Sequence, residues 1–356
     1  LLPTIEPWEI WTNNTGNKCL VDTFDRNFQF NVEHVSLAKL ADIFLVAPAS
    51  ADVIGKIANG IADDMLTTTI MACKCPKLIS PAMNTNMFTN PIVQDNLKKL
   101  EHYGYEIIQP DSGYLACGDT GAGKMPSEQV LLNYILRTIA KDKDMTGIKL
   151  TVTAGPTREK LDPVRFLSNN STGKMGYAIA KMAMLRGADV TLISGKVSLE
   201  PVPFVKMVDI VSAEDMYNAV IKSAKDADII IKAAAVADYR PSDVSDEKIK
   251  KKDGDMSIPL ERTKDIIGTL GSSKRDGLFL CGFSMETEHM LDNSKVKLTK
   301  KNLDMIVANN VKDAGAGFQG NTNVITMITR DHVVQLPLMD KEEAAHAILT
   351  EILSRR

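Results

Sequence analysis

Short apolar runs alternate with stretches of helical spacing along nearly the whole chain, and that alternation constrains the fold more than any other feature. In the first part the strand-like runs are ADIFLVAPAS (41–50), PKLISPAMN (76–84) and YEIIQP (105–110). Between them lie helical segments: VSLAKLA (35–41), ADVIGKIANGIADDMLTTTIMA (51–72, with a glycine interruption) and NPIVQDNLKKLEHYG (90–104). The last of these carries Lys98, Lys99 and His102 in its final turn before Gly104, a C-terminal signal. VLLNYILRTIAKDK (130–143) closes this half as an amphipathic helix, and the charged KDKDMTG (141–147) suits a linker. The pattern then restarts with strands KLTVTAG (149–155), DVTLIS (189–194), ADIIIKAAAVADY (227–239), LFLCGFSME (278–286) and DMIVANN (304–310). Helices GKMGYAIAKMAMLRGA (173–188) and SAEDMYNAVIKSAKDA (212–227) fall between them. NVITMIT (323–329) and HVVQLPLM (332–339) read as an antiparallel hairpin before the helix KEEAAHAILTEILSRR (341–356). Strands alternating with helices imply parallel sheets covered on both faces. The expectation is two doubly wound, Rossmann-like α/β domains: 1–140, a linker 141–147, and 148–356 with the hairpin. A length of 356 residues agrees, at roughly 150 per domain.

Composition excludes several classes. A net charge of −3 gives no basic field for a nucleic acid backbone, so no nucleic acid partner is expected. No apolar run approaches the roughly 18 residues of a membrane span, so no membrane partner is expected either. Five scattered cysteines argue for a reducing, cytoplasmic setting rather than a disulfide framework. Cys73 and Cys75 read as two residues of one short buried strand, because no second pair stands at zinc spacing.

Ligands of open α/β sheets bind beyond the carboxyl ends of strands, so the loops there carry the chemistry. TAGPTREKLDPVRFLSNNSTGKMG (153–176) is neither a Walker A loop, since Met follows GK, nor a tight G-x-G-x-x-G turn. Its STGKMG end puts a polar turn at a helix N-terminus, which suits an anion and equally an ordinary cap. In DYRPSDVSDEKIKKKDGD (238–255), Lys248, Lys250, Lys251 and Lys252 read either as a solvated face or as a lid that meets a polyphosphate. In the first half, His34 reads evenly as a helix-flanking histidine and as a functional one. Asn84 follows a strand, and Cys117 sits in a glycine-rich polar loop that packing does not explain. A histidine, an amide and a thiol together can hold a carboxylate and move protons.

These residues also carry a resemblance. VAPASADVIGKIANGIADDMLTTT, PAMNTNMF and LACGDTGAGKM resemble the flavin-dependent phosphopantothenoylcysteine decarboxylase half of the bifunctional enzymes of bacterial coenzyme A synthesis. The loops at 153–176 and 238–255, with KKNLDMIVAN, resemble the phosphopantothenate–cysteine ligase half, in the order of the fused protein. The resemblance implies a flavodoxin-like first domain and a ligase second domain, from a prokaryotic source. It further implies that CTP, with Mg2+, activates 4′-phosphopantothenate as an acyl-cytidylate for attack by cysteine. FMN then serves the decarboxylation to 4′-phosphopantetheine.

By motif, Asn169 would bind and polarise the acyl-cytidylate with help from Arg165, and Lys248 would meet the triphosphate. Ala234, Ala235, Asp238, Phe283, Lys297 and Lys301 would line the nucleotide pocket. In the decarboxylase half the resemblance implies that His34 would be the active-site histidine, that Asn84 would grip the carboxylate and that Cys117 would deliver a proton. Ser50, Ala51, Asp52, Ala82 and Met83 would flank the flavin. The resemblance implies trimers of the first domain and dimers of the second, hence a dodecamer. Thr263 and Lys264 stand where the family usually has Asn-Pro, which puts the nucleotide contact there in doubt. Ser284 and Met285 replace small or aliphatic residues. LLPTIEPWEIWTNN matches poorly, so the family's first strand, glycine-rich loop and first helix are expected to be missing. The alternative is a ligase whose first half is a non-catalytic assembly or binding domain. A nicotinamide dehydrogenase ranks last, for want of the glycine fingerprint.

Overall fold

The structure is a computed structural model that describes residues 16, 19–20, 33–114, 118, 120–250, 256–286, 290–310 and 320–356. The chain divides into two compact units between Ala140 and Lys141.

In the first unit α1 (Glu33–Leu40) leads into β1 (Phe44–Ala49). Next comes α2 (Ala51–Asn59), capped by the Ser50 hydroxyl and closed by Gly60 at φ +72°. The following α3 (Met65–Ala72) is opened by a reciprocal capping box between Asp64 and Thr67. The glycine interruption is therefore a complete break, with a stop and a fresh start. Then come β2 (Lys77–Pro81), the short α4 (Thr85–Phe88), α5 (Pro91–His102) and β3 (Glu106–Ile107). The unit ends with the hairpin β4 (Asp111–Tyr114) and β5 (Thr120–Lys124), then α6 (Glu128–Ile139). The strands β1, β2 and β3 pair in parallel in that order. Neighbours in β2 face opposite cores. Ile79 packs with Ile54, Ile70 and Leu97, and Leu78 with Ile108 and Leu131. A sheet buried on both faces needs a continuous apolar run rather than alternation, which explains the LVA and KLIS stretches.

The second unit begins with β6 (Lys149–Ala154), the ribbon β7 (Arg158–Lys160) and β8 (Phe166–Ser168), and α7 (Lys174–Leu185). It continues through β9 (Asp189–Ser194), β10 (Lys206–Asp209), α8 (Ala213–Ser223) and β11 (Ile229–Lys232). A second ribbon, β12 (Tyr239–Pro241) with β13 (Leu260–Arg262), precedes α9 (Ile266–Ser272), β14 (Phe279–Glu286), α10 (Met290–Lys300) and β15 (Met305–Asn310). The last elements are β16 (Thr322–Asn323), β17 (Ile325–Ile328), β18 (Val333–Gln335), β19 (Met339–Asp340) and α11 (Lys341–Arg355).

Eight strands form one sheet in the order β10-β9-β6-β11-β14-β15-β17-β18. The first six are parallel and β17 and β18 antiparallel, so the parallel part has the doubly wound order 3-2-1-4-5-6. Ile229 and Ile231 enter the core that includes α7 and α11, while Ile230 enters the core of α8, α9 and α10. The order reverses between β6 and β11, and the crevice beyond their carboxyl ends is the expected ligand position.

Three local readings change. The run 227–239 is a strand only over Ile229–Lys232. Beyond it, the N–H groups of Ala234 and Ala237 are taken by the Thr153 and Thr157 hydroxyls (3.1 and 3.0 Å), and that of Ala235 by Gly155 O (3.0 Å). YEIIQP pairs only over Glu106–Ile107. Residues 141–147, expected as a linker, pack on the second unit. Met145 is fully buried, and Asp144 forms a 2.6 Å ion pair with the buried Arg186 at the end of α7.

Candidate functional site

In the ligase-like unit the crevice is built on α7. Gly173 caps it at φ +77° with no side-chain cap bond among the described residues, and the start of this twelve-residue helix, an end that favours anions, lines the crevice. Gly176 brings the helix onto β6: a Cβ there would lie 2.6 Å from Ala154 Cβ and 2.9 Å from Thr153 O. Across the crevice runs Ala233–Asp238, held by the threonine and Gly155 bonds described above. Asn169, just past β8, donates its Nδ2 to Ala235 O at 3.1 Å. An amide nitrogen has two hydrogens, so this bond fixes the plane of the group and leaves a second donor.

The same short segment borders two cavities. Ala233, Ala234 and Ala235 line one of about 150 Å3 that reaches Phe283, Ser284, Asn309 and the start of α7. Val236 and Asp238 line another of about 350 Å3, with Lys232, Thr263, Asp265 and Lys301. Asp265 caps α9 through Gly268 N and pairs with Lys301 at 2.9 Å. Burial works against ionisation of Asp265, but the Lys301 contact and the Gly268 N–H outweigh it and hold the carboxyl below its usual range. Lys232 at the end of β11 is pushed the other way: burial first, then the like charge of Lys301, lower its pKa. Lys297 reaches Ser284 Oγ at 3.4 Å. The unusual Thr263 and Lys264 are both engaged within the protein. Thr263 Oγ1 donates to Ala237 O (2.6 Å), and Lys264 pairs with Glu214 (2.7 Å).

The lysine-rich segment is tethered. Asp162, its side chain fully buried, accepts from Val164 N and Arg165 N at 2.8 Å and from Ile249 N at 3.2 Å. Arg165 forks onto the same carboxylate, at 2.9 Å from Nε and 2.5 Å from Nη2, and Nη2 also donates to Ile249 O at 2.9 Å. The Arg165 fork, with the backbone N–H groups, holds the Asp162 carboxyl far below the carboxylate range. Arg165 thus grips the chain beside exposed Lys248, a role that sequence reasoning did not give it. Lys251 and Lys252 lie outside the described residues.

In the flavoprotein-like unit, the carboxyl ends of β1 and β2 present Ser50, Ala51 and Asp52 at the start of α2, and Ala82, Met83 and Asn84 before α4. Asn84 Oδ1 accepts from Asn86 N at 2.8 Å. The β5 strand lies against this edge, with Met83 N donating to Gly123 O at 3.0 Å. A Cβ on Gly123 would meet Met83 O at 2.2 Å, so only glycine permits the approach. The buried hydroxyls of Ser80 and Thr85 have no hydrogen-bond partner among the described residues. Small residues and unsatisfied hydroxyls at a sheet's carboxyl edge fit a flat, polar-rimmed ring such as a flavin. His34 is half-buried in α1; Cys117 lies outside the described residues.

Sequence reasoning missed Thr153, Thr157, Asp162, Lys232 and Asn309. The two threonines occupy ordinary strand and loop positions, and only their partners reveal them. Asp162 was legible in part, as an aspartate three residues before Arg165.

Two family models match the chain: "Flavoprotein" over 4–140, farther forward than the quoted motifs, and "DNA/pantothenate metabolism flavoprotein C-terminal domain" over 145–355. The coenzyme A biosynthesis bifunctional protein CoaBC of Bacillus subtilis is 46% identical over 335 residues, which is 93% of this chain and 82% of that protein. A cysteine/cysteine sulfinic acid decarboxylase of an unknown prokaryotic organism is 42% identical over 95% of this chain and 96% of its own length. The crystal structure of a C-terminal domain of CoaBC superposes with a TM-score of 0.51 at 44% identity, covering 60% of this chain and 96% of that one. The chain therefore belongs to the family of coenzyme A biosynthesis bifunctional proteins, which join a flavoprotein domain to a pantothenate-metabolism domain.

Proposed function

We propose that this enzyme couples 4′-phosphopantothenate to cysteine with CTP in its second unit and decarboxylates the product with FMN in its first, in the cytoplasm. The observation that carries the ligase reading is Ala233–Asp238, one segment that borders two cavities and is gripped at Ala235 by Asn169. A reaction that joins a nucleotide to an acid needs two adjacent compartments and a donor at their boundary. The substrate carboxylate attacks the α-phosphorus of CTP, a C–O–P bond forms, and pyrophosphate leaves. The cysteine amine then attacks the acyl carbon, and CMP leaves as the amide forms. The free Asn169 N–H donates to the acyl oxygen, where negative charge develops. Lys248, on the segment that Asp162 and Arg165 anchor, neutralises the departing pyrophosphate. Asp238, Phe283, Lys297 and Lys301 hold the nucleotide. Mg2+ is bound chiefly by substrate phosphates in such sites, with one or two carboxylates such as Asp238 beside them.

In the first unit, Ser50, Ala51, Asp52, Ala82 and Met83 would hold FMN. When bound, the flavin oxidises the thiol of the substrate and later returns the electrons, which makes loss of CO2 easy. Asn84 orients the carboxylate, His34 moves a proton and Cys117 delivers one to the product carbon. Trimers of the first unit and dimers of the second are the proposed assembly.

The test is purified protein with CTP, Mg2+, 4′-phosphopantothenate and cysteine, followed by pyrophosphate release, CO2 release and the flavin spectrum. Continuous pyrophosphate release that requires all four, with at most one equivalent per site when cysteine is left out, supports the ligase, and none would overturn it. CO2 from 4′-phosphopantothenoylcysteine, and none from free cysteine, supports the second step. Ligation with no flavin spectrum after FMN addition favours a non-catalytic first unit.

A further inference from the structure

Lys232 breaks the pattern of the strand that it ends. Side chains along β11 alternate between two cores, and Ile230 enters the one that includes α8, α9 and α10. Two residues on, the same face carries Lys232, a charge where the row calls for an apolar residue. Its side chain lines the cavity of about 350 Å3, together with Tyr239 and Arg262 of the β12–β13 ribbon. Among the described residues, no hydrogen bond or ion pair engages its ammonium. The two carboxylates of the cavity do not supply one. Asp265 is taken by Lys301 at 2.9 Å and by Gly268 N at 3.1 Å, and Asp238 acts on Lys232 only through space. Burial first, then the like charges of Lys301 and Lys297, outweigh both carboxylates and lower the pKa of Lys232. The free protein thus keeps an ammonium that is short of acceptors, which a ligand rich in oxygen atoms would supply.

Its place in the fold says which ligand. The strand order reverses between β6 and β11, so the carboxyl end of β11, where Lys232 stands, borders the crevice. The chain runs on from Lys232 into Ala233–Asp238, the segment that Asn169 grips at Ala235. Asp238 and Lys301, which hold the nucleotide in the ligase reading above, line the same cavity. We propose that Lys232 is a further nucleotide-binding residue, whose ammonium donates to an oxygen of the base or of a phosphate. The inference rests on that ligase reading. A contact that exists only in the complex contributes to nucleotide affinity and nothing to the fold of the free protein. A lysine that merely propped the cavity open would do the reverse.

The experiment compares wild-type full chain with Lys232→Met by steady-state pyrophosphate release, by calorimetric binding of CTP with Mg2+, and by melting. For Lys232→Met we expect KM and Kd for CTP to rise about ten- to a hundredfold, with KM for 4′-phosphopantothenate and cysteine within about twofold of wild type. The variant should melt no lower than wild type, since a largely buried charge without a partner does not stabilise the free protein. Lys232→Gln, which keeps a donor without the charge, should fall between the two, and it carries the comparison if the methionine variant does not fold. Binding of CMP and cytidine locates the acceptor: a loss that persists with cytidine places it on the nucleoside, and one confined to CTP places it on the outer phosphates. CTP affinity unchanged in a folded variant, or a rise in KM for 4′-phosphopantothenate instead, overturns the proposal. A wild-type protein that neither binds CTP nor releases pyrophosphate would sink the ligase reading itself, whereas a working ligase indifferent to Lys232 sinks only this inference.

Discussion

Asn169 and Asp162 show how far a single polar group depends on what it is bonded to. With one hydrogen committed to Ala235 O, Asn169 can polarise only an atom that lies on the crevice side. Asn169→Ala should lower kcat for pyrophosphate release about 10²–10³-fold with little change in KM for CTP, the signature of a donor used mainly as charge develops. Asp162 acts at one remove, through Arg165 and Ile249. Its pKa is depressed, so its contribution is complete above the ordinary carboxylate value of about 4 and is lost as pH falls through the lowered one. Tryptic cutting at Lys248 and Lys250 should therefore stay slow at neutral pH. In Asp162→Asn it should be fast already at pH 7, and the same slow cutting in the variant would refute the tether. The sequence shows only that Asp162 stands three residues before Arg165, two charges in a long loop. Their meaning comes from an Ile249 backbone that only the fold brings beside them.

At the scale of elements, local sequence signals were the most readable, because capping and periodicity need no distant partner. Ser212 and Asp215 form a reciprocal box at the start of α8, and Asp340 and Glu343 one at the start of α11. Ser212→Ala should cost about 1 kcal/mol, read as a lower denaturation midpoint of the second unit. Gly176→Ala should cost more, about 1–3 kcal/mol, although alanine is the better helix former. The added methyl would meet Ala154 and Thr153 O, so α7 would have to lift off β6. A variant as stable as wild type in a denaturant melt would show that the helix has more room than these distances give it. The ribbons β4–β5, β7–β8 and β12–β13 escaped the sequence reading for the opposite reason. Their residues are mostly exposed, glycine-rich or charged, so no alternation marks them. The end of β11 escaped because alanines carry no signal of direction, and threonine side chains on neighbouring segments decide where their N–H groups go.

For the whole molecule, the two units carry separate chemistry, and this separation can be tested. Cys117→Ser should block formation of 4′-phosphopantetheine from 4′-phosphopantothenoylcysteine and leave pyrophosphate release within about twofold of wild type, since reactions in different sites add independently. The sequence by itself determined the class of fold, the two α/β units, most strands and helices, and the family, because those follow from short-range periodicity and contiguous motifs. Tertiary structure alone decided the strand order 3-2-1-4-5-6, and with it the crevice between β6 and β11. It also decided that Ala235 and Asn309, far apart in the chain, border one cavity, and that Asn169 is bonded to Ala235. Strand pairing is set by how buried faces pack across the whole sheet, and that information is spread over every element rather than written in any one of them.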